Sequence, residues 1–140
     1  MTLRALLRSQ LITDEGIRLH AYQDSEGYWT IGVGRLIDKR LGGGITKEEA
    51  MVLLEHDIDK AEKIAKNLFP SFDRLSEGRQ AVLCNMAFNL GAARLANFHR
   101  MREAVADGAF DRAASEMLDS RWSEQVGERA RRLATIMRDG

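Results

Sequence analysis

A change of hydrophobic spacing within one short stretch, residues 15–34, constrains the fold more than any other feature of this sequence. Before it, leucines recur at three- and four-residue steps, which predicts an amphipathic helix from about Thr2 that ends where Gly16 allows a left-handed exit. After it, apolar and polar residues alternate from Ile17 to Tyr22, which predicts a half-buried strand. The chain must therefore join a helix directly to a β-structure.

Turn-forming residues divide this stretch into a β-hairpin. Residues 24–27 have the composition of a turn, and the aromatic and β-branched residues at 28–31 predict the returning strand. Residues 34–36 should form a short third strand, followed by a loop over 38–44 that ends in three glycines. The sequence thus predicts a small sheet immediately after the first helix.

Glu15 and Asp24 are candidate catalytic carboxylates. Glu15 falls on the last turn of the predicted helix, where the helix dipole disfavours negative charge, so a purely structural role would favour Lys or Arg there. The hairpin carries Asp24 and Thr30 next to Glu15. Glycosidic bond cleavage uses such a pair, because one carboxyl stays protonated for the leaving oxygen while the other stays ionised.

The spacing of these residues resembles that of the phage-type lysozymes and endolysins, glycoside hydrolase family 24, of the T-even phage lysozyme type. Glu15 is followed nine residues later by Asp24, six residues further by Thr30, and then by the sequence IGVG. The resemblance extends over nearly the whole chain, because the segments ITKEEA, NMAFNLG and SRWSEQ, followed by RARR, occur in the same order. It departs at Arg35, where the family often has His.

The resemblance implies an α+β fold that is mostly helical. A small lobe with a three-stranded antiparallel sheet, a long linking helix and a larger all-helical lobe are expected, with a cleft between the lobes. We expect residues 1–140 to form one lysozyme-like domain, a length that suffices for one sizeable core. Its expected parts are the lobe with the catalytic hairpin at about 13–46, the linking helix at about 47–67, and the helical lobe at about 68–140 together with the N-terminal helix 2–15.

The linking helix and a buried central helix are also predicted from the residues themselves. Thr46 and Glu49 form a capping-box pattern, and apolar residues recur at helical spacing until Pro70 prevents continuation. The helix that starts near Ser76 is apolar almost all round and should end at Gly91. Short helices in a bundle should follow.

The resemblance also implies an activity, that of an endolysin or muramidase. Such an enzyme hydrolyses the β-1,4 bond between N-acetylmuramic acid and N-acetylglucosamine of bacterial peptidoglycan, for host cell lysis. Glu15 would be the general acid, and Asp24 with Thr30 would hold and activate a water, giving inversion. The alternative is a non-catalytic peptidoglycan-binding module on the same scaffold, which would not need a carboxylate at the helix end.

Five further residues are candidates for substrate binding. Leu36 and Phe88 match sugar contacts of the family, and Arg129 corresponds to an arginine that reaches the catalytic glutamate. Asn85 and Asn89 are polar amides on an apolar helix, which serve either as core hydrogen-bonding groups or as contacts to sugar hydroxyls. Because this segment resembles the family's NMxFxxG pattern, we favour sugar binding.

Composition argues against several other classes of protein. Lys plus Arg and Asp plus Glu both number 21, so no overall field favours nucleic acid or a membrane surface. No apolar run approaches the roughly 18 to 20 residues that span a bilayer. The single cysteine, Cys84, excludes an internal disulfide and is expected to be a core residue, as is Trp122.

The expected surroundings of the protein follow from these points. We expect no cofactor and no metal, peptidoglycan glycan strands as the partner, no nucleic acid, no stable membrane association, and a monomer. The N-terminal leucines follow helical periodicity and lack a cleavage site, so no secretory signal is expected. The protein would be made in the host cytoplasm and would act on peptidoglycan in the periplasm after the membrane is permeabilised.

Overall fold

The computed structural model describes residues 2–37, 41 and 43–140, a mixed α and β chain with a three-stranded antiparallel sheet. The predicted α+β, mostly helical class is confirmed. The chain divides into two compact units, Met1–Val52 and Leu53–Gly140. Of the loop expected over 38–44, residues 38–40 and 42 lie outside the described part of the chain. The predicted lobe boundaries and the cleft stay predictions.

The first unit begins with helix α1, Leu3–Glu15. The hydroxyl oxygen of Thr2 caps its start by accepting a hydrogen bond from the backbone N–H of Ala5 at 3.1 Å. The helix ends at Gly16, whose φ of 74° lies in the region that favours glycine. The predicted helix and its glycine stop are confirmed, and Glu15 is the last helical residue.

Three strands follow, in spatial order β1, β2 and β3: Arg18–Gln23, Trp29–Gly32 and Arg35–Leu36. Both neighbouring pairs are antiparallel. Because β2 is the middle strand, Thr30 pairs with Tyr22 on one side and Leu36 on the other. The predicted hairpin and short third strand are confirmed.

Strand β1 contains an irregularity that the sequence pattern does not show. Arg18 pairs with Gly32 and Tyr22 with Thr30, so residues 19–21 of β1 lie opposite a single residue of β2. Bulged residues leave the regular pleat. The prediction of a half-buried strand is therefore wrong: five of its six residues are exposed, with Leu19 at 89%, and only Tyr22 is partly covered.

Helix α2, Lys47–Leu68, starts with the predicted capping box. The backbone N–H of Glu49 donates to the Thr46 hydroxyl oxygen at 3.1 Å, and the backbone N–H of Thr46 donates to the Glu49 carboxylate at 3.2 Å. The guanidinium of Arg35 pairs with the same carboxylate and links β3 to the start of α2. The Arg35 hydrogen bond, followed by those from Thr46, lowers the pKa of Glu49 below its ordinary value.

Replacing Glu49 with glutamine should remove a pH-dependent part of the stability of the first unit. Glutamine keeps the capping-box geometry and loses the charge. Because folding lowers the pKa of Glu49, the carboxylate stabilises the folded state above its unfolded pKa, and this stabilisation is lost as the pH falls through the folded pKa. Urea unfolding followed by circular dichroism should show the parent as more stable at pH 7, and the difference should be smaller at about pH 3, below the unfolded pKa. An equal difference at both pH values would contradict this assignment.

The second unit contains the rest of α2 and a set of shorter helices. These are a 3₁₀ turn at Phe72–Arg74 and the helices α3 Glu77–Ala96, α4 His99–Ala106, α5 Phe110–Leu118, α6 Arg121–Val126 and α7 Glu128–Asp139. The predicted helical bundle is confirmed, with α3 as its most buried long helix.

Helix α3 contributes the centre of the hydrophobic core. The side chain of Ser76 caps its start, and Leu83 and Met86 are fully buried. Gly91, with a φ of 79°, interrupts the helix where the sequence predicts its end, and a further short helical segment continues to Ala96. The prediction of a buried central helix is therefore confirmed.

Two residues predicted to be in the core have the expected environment. Trp122 on α6 is 2% exposed and packs edge-on against Phe98, with ring centroids 6.2 Å apart. Cys84 is partly buried, and this burial raises the pKa of its thiol, which disfavours the reactive thiolate.

Arg79 connects the first turn of α3 with the end of α7. Its guanidinium stacks 3.6 Å from the centre of the Phe110 ring and donates to the backbone carbonyl oxygens of Met137 and Arg138. Carbonyl groups at a helix C-terminus lack helical partners, so a cationic donor there stabilises the end of α7.

In the described ranges, no helix is long and apolar enough to cross a membrane.

Candidate active site

The carboxyl group of Glu15 lies directly against the backbone of Gly34. An ideal Cβ at Gly34 would lie 2.6 Å from both Cδ and Oε2 of Glu15, closer than two such atoms approach in proteins. Gly34 also has a φ of 63°, which favours glycine. The turn between β2 and β3 therefore holds the acid at the end of α1 against a surface that has room only for glycine.

Asp24 is fixed by the turn of the hairpin. Its Oδ1 accepts hydrogen bonds from the backbone N–H groups of Glu26 and Tyr28, both at 2.9 Å. The backbone N–H of Asp24 donates to the carbonyl oxygen of Tyr28 at 2.8 Å and closes the hairpin. Among the described residues, both donors to this carboxylate bond to Oδ1, so Oδ2 is the oxygen that they leave to a ligand.

Thr30 is buried in the middle strand, with 3% of its surface exposed. Its hydroxyl donates to the carbonyl oxygen of Tyr28 at 3.1 Å. A hydroxyl that donates its single proton in this way retains lone pairs that accept hydrogen bonds. Thr30 and Asp24 therefore share a contact with the same residue, Tyr28, and both belong to the turn end of the hairpin.

Glu15 and Asp24 lie at opposite ends of β1, and the bulge shortens the span between them. Glu15 ends α1 three residues before Arg18, the first residue of the strand, and Asp24 directly follows Gln23, the last. The two ends of β1 pair with Gly32 and Trp29 of β2. These two residues are three positions apart, so the distance between them along β2 is about 10 Å. An unbulged strand of six residues would span roughly 17 Å. The bulge thus brings the two ends of the strand closer together.

Leu36, the remaining candidate in the first unit, lies on β3 with 48% of its surface exposed. It pairs with Thr30 in the sheet. An exposed leucine on an edge strand is available for contact with an apolar sugar face, and the role of Leu36 in substrate binding stays a prediction.

The other four candidates belong to the second unit, and the first pair is Asn85 and Arg129. The Arg129 guanidinium donates two hydrogen bonds to Oδ1 of Asn85, from Nε at 3.0 Å and from a terminal nitrogen at 2.7 Å. Both lone pairs of this oxygen are therefore used, and the amide N–H₂ group of Asn85 points away from the guanidinium.

Asn89 has a comparable partner one helical turn further along α3. Its Oδ1 accepts a hydrogen bond from the indole N–H of Trp122 at 2.7 Å. Asn85 and Asn89 are nevertheless exposed on the surface of the helix. The side-chain oxygen of each asparagine accepts a hydrogen bond within the protein, and the exposed amide nitrogen remains available to a ligand. Internal hydrogen bonding and ligand contact, the two alternatives from the sequence, therefore do not exclude each other.

Phe88 completes this group, with 50% of its surface exposed. Together with Asn85 it lines a groove of about 470 Å³ between α2 and α3, whose other residues are Leu54, Ile58, Ala61, Ala81 and Cys84. The groove is mostly apolar, and an exposed aromatic ring at its edge is suited to stacking against a sugar.

Sequence reasoning missed the role of Gly34 and the partners of the two asparagines. Gly32 and Gly34 both occur in the sequence IGVG, but the sequence alone does not show which of them lies against the acid. The bonds from Trp122 to Asn89 and from Arg129 to Asn85 join residues 33 and 44 positions apart, which no local pattern predicts.

An acid held at the end of a helix by a three-stranded hairpin sheet, followed by a helical unit with a buried central helix, is the organisation of the lysozyme-like α+β class. A model of the phage lysozyme family matches residues 13–138 of the chain. The chain therefore belongs to the phage lysozyme family and is a lysozyme enzyme, a class that hydrolyses peptidoglycan.

The chain is similar to several individual proteins. The chain is 33% identical to the pre-baseplate central spike protein Gp5 of Enterobacteria phage T4, over 96% of this chain and 28% of the spike protein. It is 27% identical to the probable T4-type lysozyme 2 of Dictyostelium discoideum, over 96% of this chain and 94% of that protein. It is 32% identical to the endolysin of Salmonella phage P22, over 68% of this chain and 67% of the endolysin. The chain thus spans little more than a quarter of the spike protein and nearly all of the Dictyostelium lysozyme.

Proposed function

We propose that this chain is a muramidase that hydrolyses the β-1,4 bond between N-acetylmuramic acid and N-acetylglucosamine in peptidoglycan. The observation that carries the proposal is the carboxyl of Glu15, held against Gly34 at the end of α1 in a chain of the phage lysozyme family. A helix C-terminus disfavours a carboxylate, which argues for a chemical rather than a structural reason for Glu15.

In the proposed reaction, Glu15 is the general acid and gives its proton to the glycosidic oxygen as the bond to the anomeric carbon breaks. A water attacks that carbon from the opposite face and passes a proton to Oδ2 of Asp24. The Thr30 oxygen accepts the second hydrogen of the water, because the Thr30 proton is donated to Tyr28. The backbone N–H groups on Oδ1 hold the Asp24 carboxylate in a fixed orientation at the hairpin turn.

The proposed stereochemical outcome is inversion. Inverting enzymes place the two carboxyl groups about 6.5 to 9.5 Å apart to leave room for a water. The bulged register shortens β1 to about 10 Å between its paired ends, which reduces the distance from Asp24 to the segment that follows Glu15.

Leu36, Phe88, Asn85, Asn89 and Arg129 are proposed to contact the glycan strand. Phe88 would supply a stacking surface, and the two amides and the guanidinium would supply hydrogen-bond donors. The proposed place of action is the peptidoglycan of the periplasm after the membrane is permeabilised, with host cell lysis as the result.

Product analysis tests the proposal. Permeabilised Gram-negative cells treated with the protein should lose turbidity, and the released fragments should carry new reducing ends on N-acetylmuramic acid. Mass spectrometry distinguishes these from the anhydro sugar of a transglycosylase, which would overturn the hydrolytic mechanism. Binding to sacculi without release of fragments would instead identify a non-catalytic binding module.

A further inference from the structure

The hydrogen bond between Trp122 and Asn89 has a chemical direction that the residue names alone do not convey. The indole nitrogen of Trp122 only donates, and an amide nitrogen does not accept, so the oxygen of Asn89 must face the indole. The amide N–H₂ group of Asn89 is then on the opposite side, away from the indole. Trp122 thereby fixes which polar group Asn89 offers to a ligand.

Trp122 itself is not available for ligand contact. Its side chain is 2% exposed, and it packs edge-on against Phe98. A buried indole costs free energy unless its N–H is hydrogen-bonded. The bond to Asn89 gives the indole N–H its acceptor, and the same bond orients the exposed Asn89 side chain. A positioning role is the only way in which Trp122 can act on a ligand.

The surface next to Asn89 indicates the chemistry of the ligand. Phe88, half exposed, is the preceding residue, and Asn85 lies one turn earlier with its own oxygen occupied by Arg129. This part of α3 therefore presents amide donors beside an aromatic ring. Such a surface suits a carbonyl oxygen attached to an apolar group, and an acetamido group combines both features.

We propose that Trp122 is a positioning residue, which orients the Asn89 amide so that its N–H₂ group donates to the carbonyl oxygen of an N-acetyl group of the glycan. The inference rests on the proposed function for its substrate class, and it adds a source of selectivity for N-acetylated sugar. A glucosamine without the acetyl group offers an ammonium at this position and has no acceptor for Asn89.

Steady-state kinetics on peptidoglycan and on chemically de-N-acetylated peptidoglycan tests this role. Asn89→Asp keeps an oxygen for Trp122 and replaces the donor by a second acceptor. Its KM for N-acetylated substrate should rise roughly five- to tenfold, the loss of about one hydrogen bond, with little change of kcat. Its KM for de-N-acetylated substrate should stay unchanged or fall, because a carboxylate attracts an ammonium. Asn67→Asp adds the same charge to an exposed position of α2 and should leave both values as in the parent.

Trp122→Phe separates positioning from packing. Phenylalanine keeps an aromatic ring in the core and removes the N–H, so the Asn89 amide is released to rotate. The preference for N-acetylated substrate should fall toward that of Asn89→Asp, whereas a purely structural defect would lower activity on both substrates by the same factor. Equal losses on both substrates, or an unchanged preference in Asn89→Asp, would overturn the proposal.

A binding measurement keeps this inference distinct from the proposed function. In a titration followed by nuclear magnetic resonance, tri-N-acetylchitotriose should shift the side-chain N–H₂ signals of Asn89 and the indole N–H signal of Trp122, and chitotriose without acetyl groups should not. If these shifts occur but the protein releases no fragments, the muramidase proposal is wrong and the positioning role of Trp122 stands. If the protein hydrolyses peptidoglycan but these shifts do not occur, the positioning role of Trp122 is wrong and the muramidase proposal stands.

Discussion

Replacing Glu15 with glutamine should leave the fold intact and remove nearly all hydrolysis of peptidoglycan. Glutamine has almost the same shape and carries no transferable acidic proton, so the leaving oxygen would have to depart as an alkoxide. A positioned acid contributes roughly 10² to 10⁴-fold to the rate, and a loss of that size is expected in kcat. Turbidity clearance and the release of reducing ends measure it, and circular dichroism checks the fold.

Asp14→Asn is the matched control for this prediction. Asp14 precedes Glu15 on the last turn of α1 and is also exposed, so its replacement removes one negative charge from the same helix end. The control should clear cell walls like the parent. If Glu15→Gln also did so, the assignment of the general acid would be wrong.

Gly34→Ala should cause a comparable loss of activity by displacing the same carboxyl group. The new Cβ would stand 2.6 Å from two atoms of the Glu15 carboxyl, so the acid must move. Displacement of a catalytic group by about 1 Å costs about 100-fold in rate. The substitution also introduces a positive-φ alanine, which costs about 1 to 2 kcal/mol of stability. The kcat for peptidoglycan and the urea midpoint measure the two effects separately.

Gly32→Ala separates backbone strain from displacement of the acid. Gly32 has a φ of 70°, close to that of Gly34, and a Cβ there would meet no atom within 4 Å. The two variants should therefore lose similar stability, and Gly32→Ala should retain its catalytic rate. Equal activity losses in both would assign the effect to the strained turn, and the contact with Glu15 would not be its cause.

Features set by neighbouring residues could be predicted from the sequence. The glycine that ends α1, the turn at Asp24 and the capping box of Thr46 and Glu49 depend on hydrogen bonds within a few residues, and all three form as expected. The buried helix α3 followed from its apolar composition. Local chemistry therefore positioned Glu15 and Asp24 on the elements that carry them.

Features set by distant residues could not be predicted in this way. The bulge in β1 depends on its register with β2, and alternation along one strand does not specify a register. For the same reason, alternation places the apolar residues of 17–22 on a covered face, although Leu19 is almost fully exposed. The selection of Trp122 as the partner of Asn89 depends on how α6 packs against α3, which is a property of the assembled core.

The bulge in β1 also limits how the length of this segment can vary between related proteins. Surface loops tolerate insertions and deletions, because a change in their length need not move the elements that they connect. In β1, each residue gained or lost outside the bulge would change the reach from the helix end to the turn by about 3 Å, a large fraction of the room that one water needs. Natural variation in chain length should therefore accumulate elsewhere, while the number of residues between the two carboxylates stays fixed.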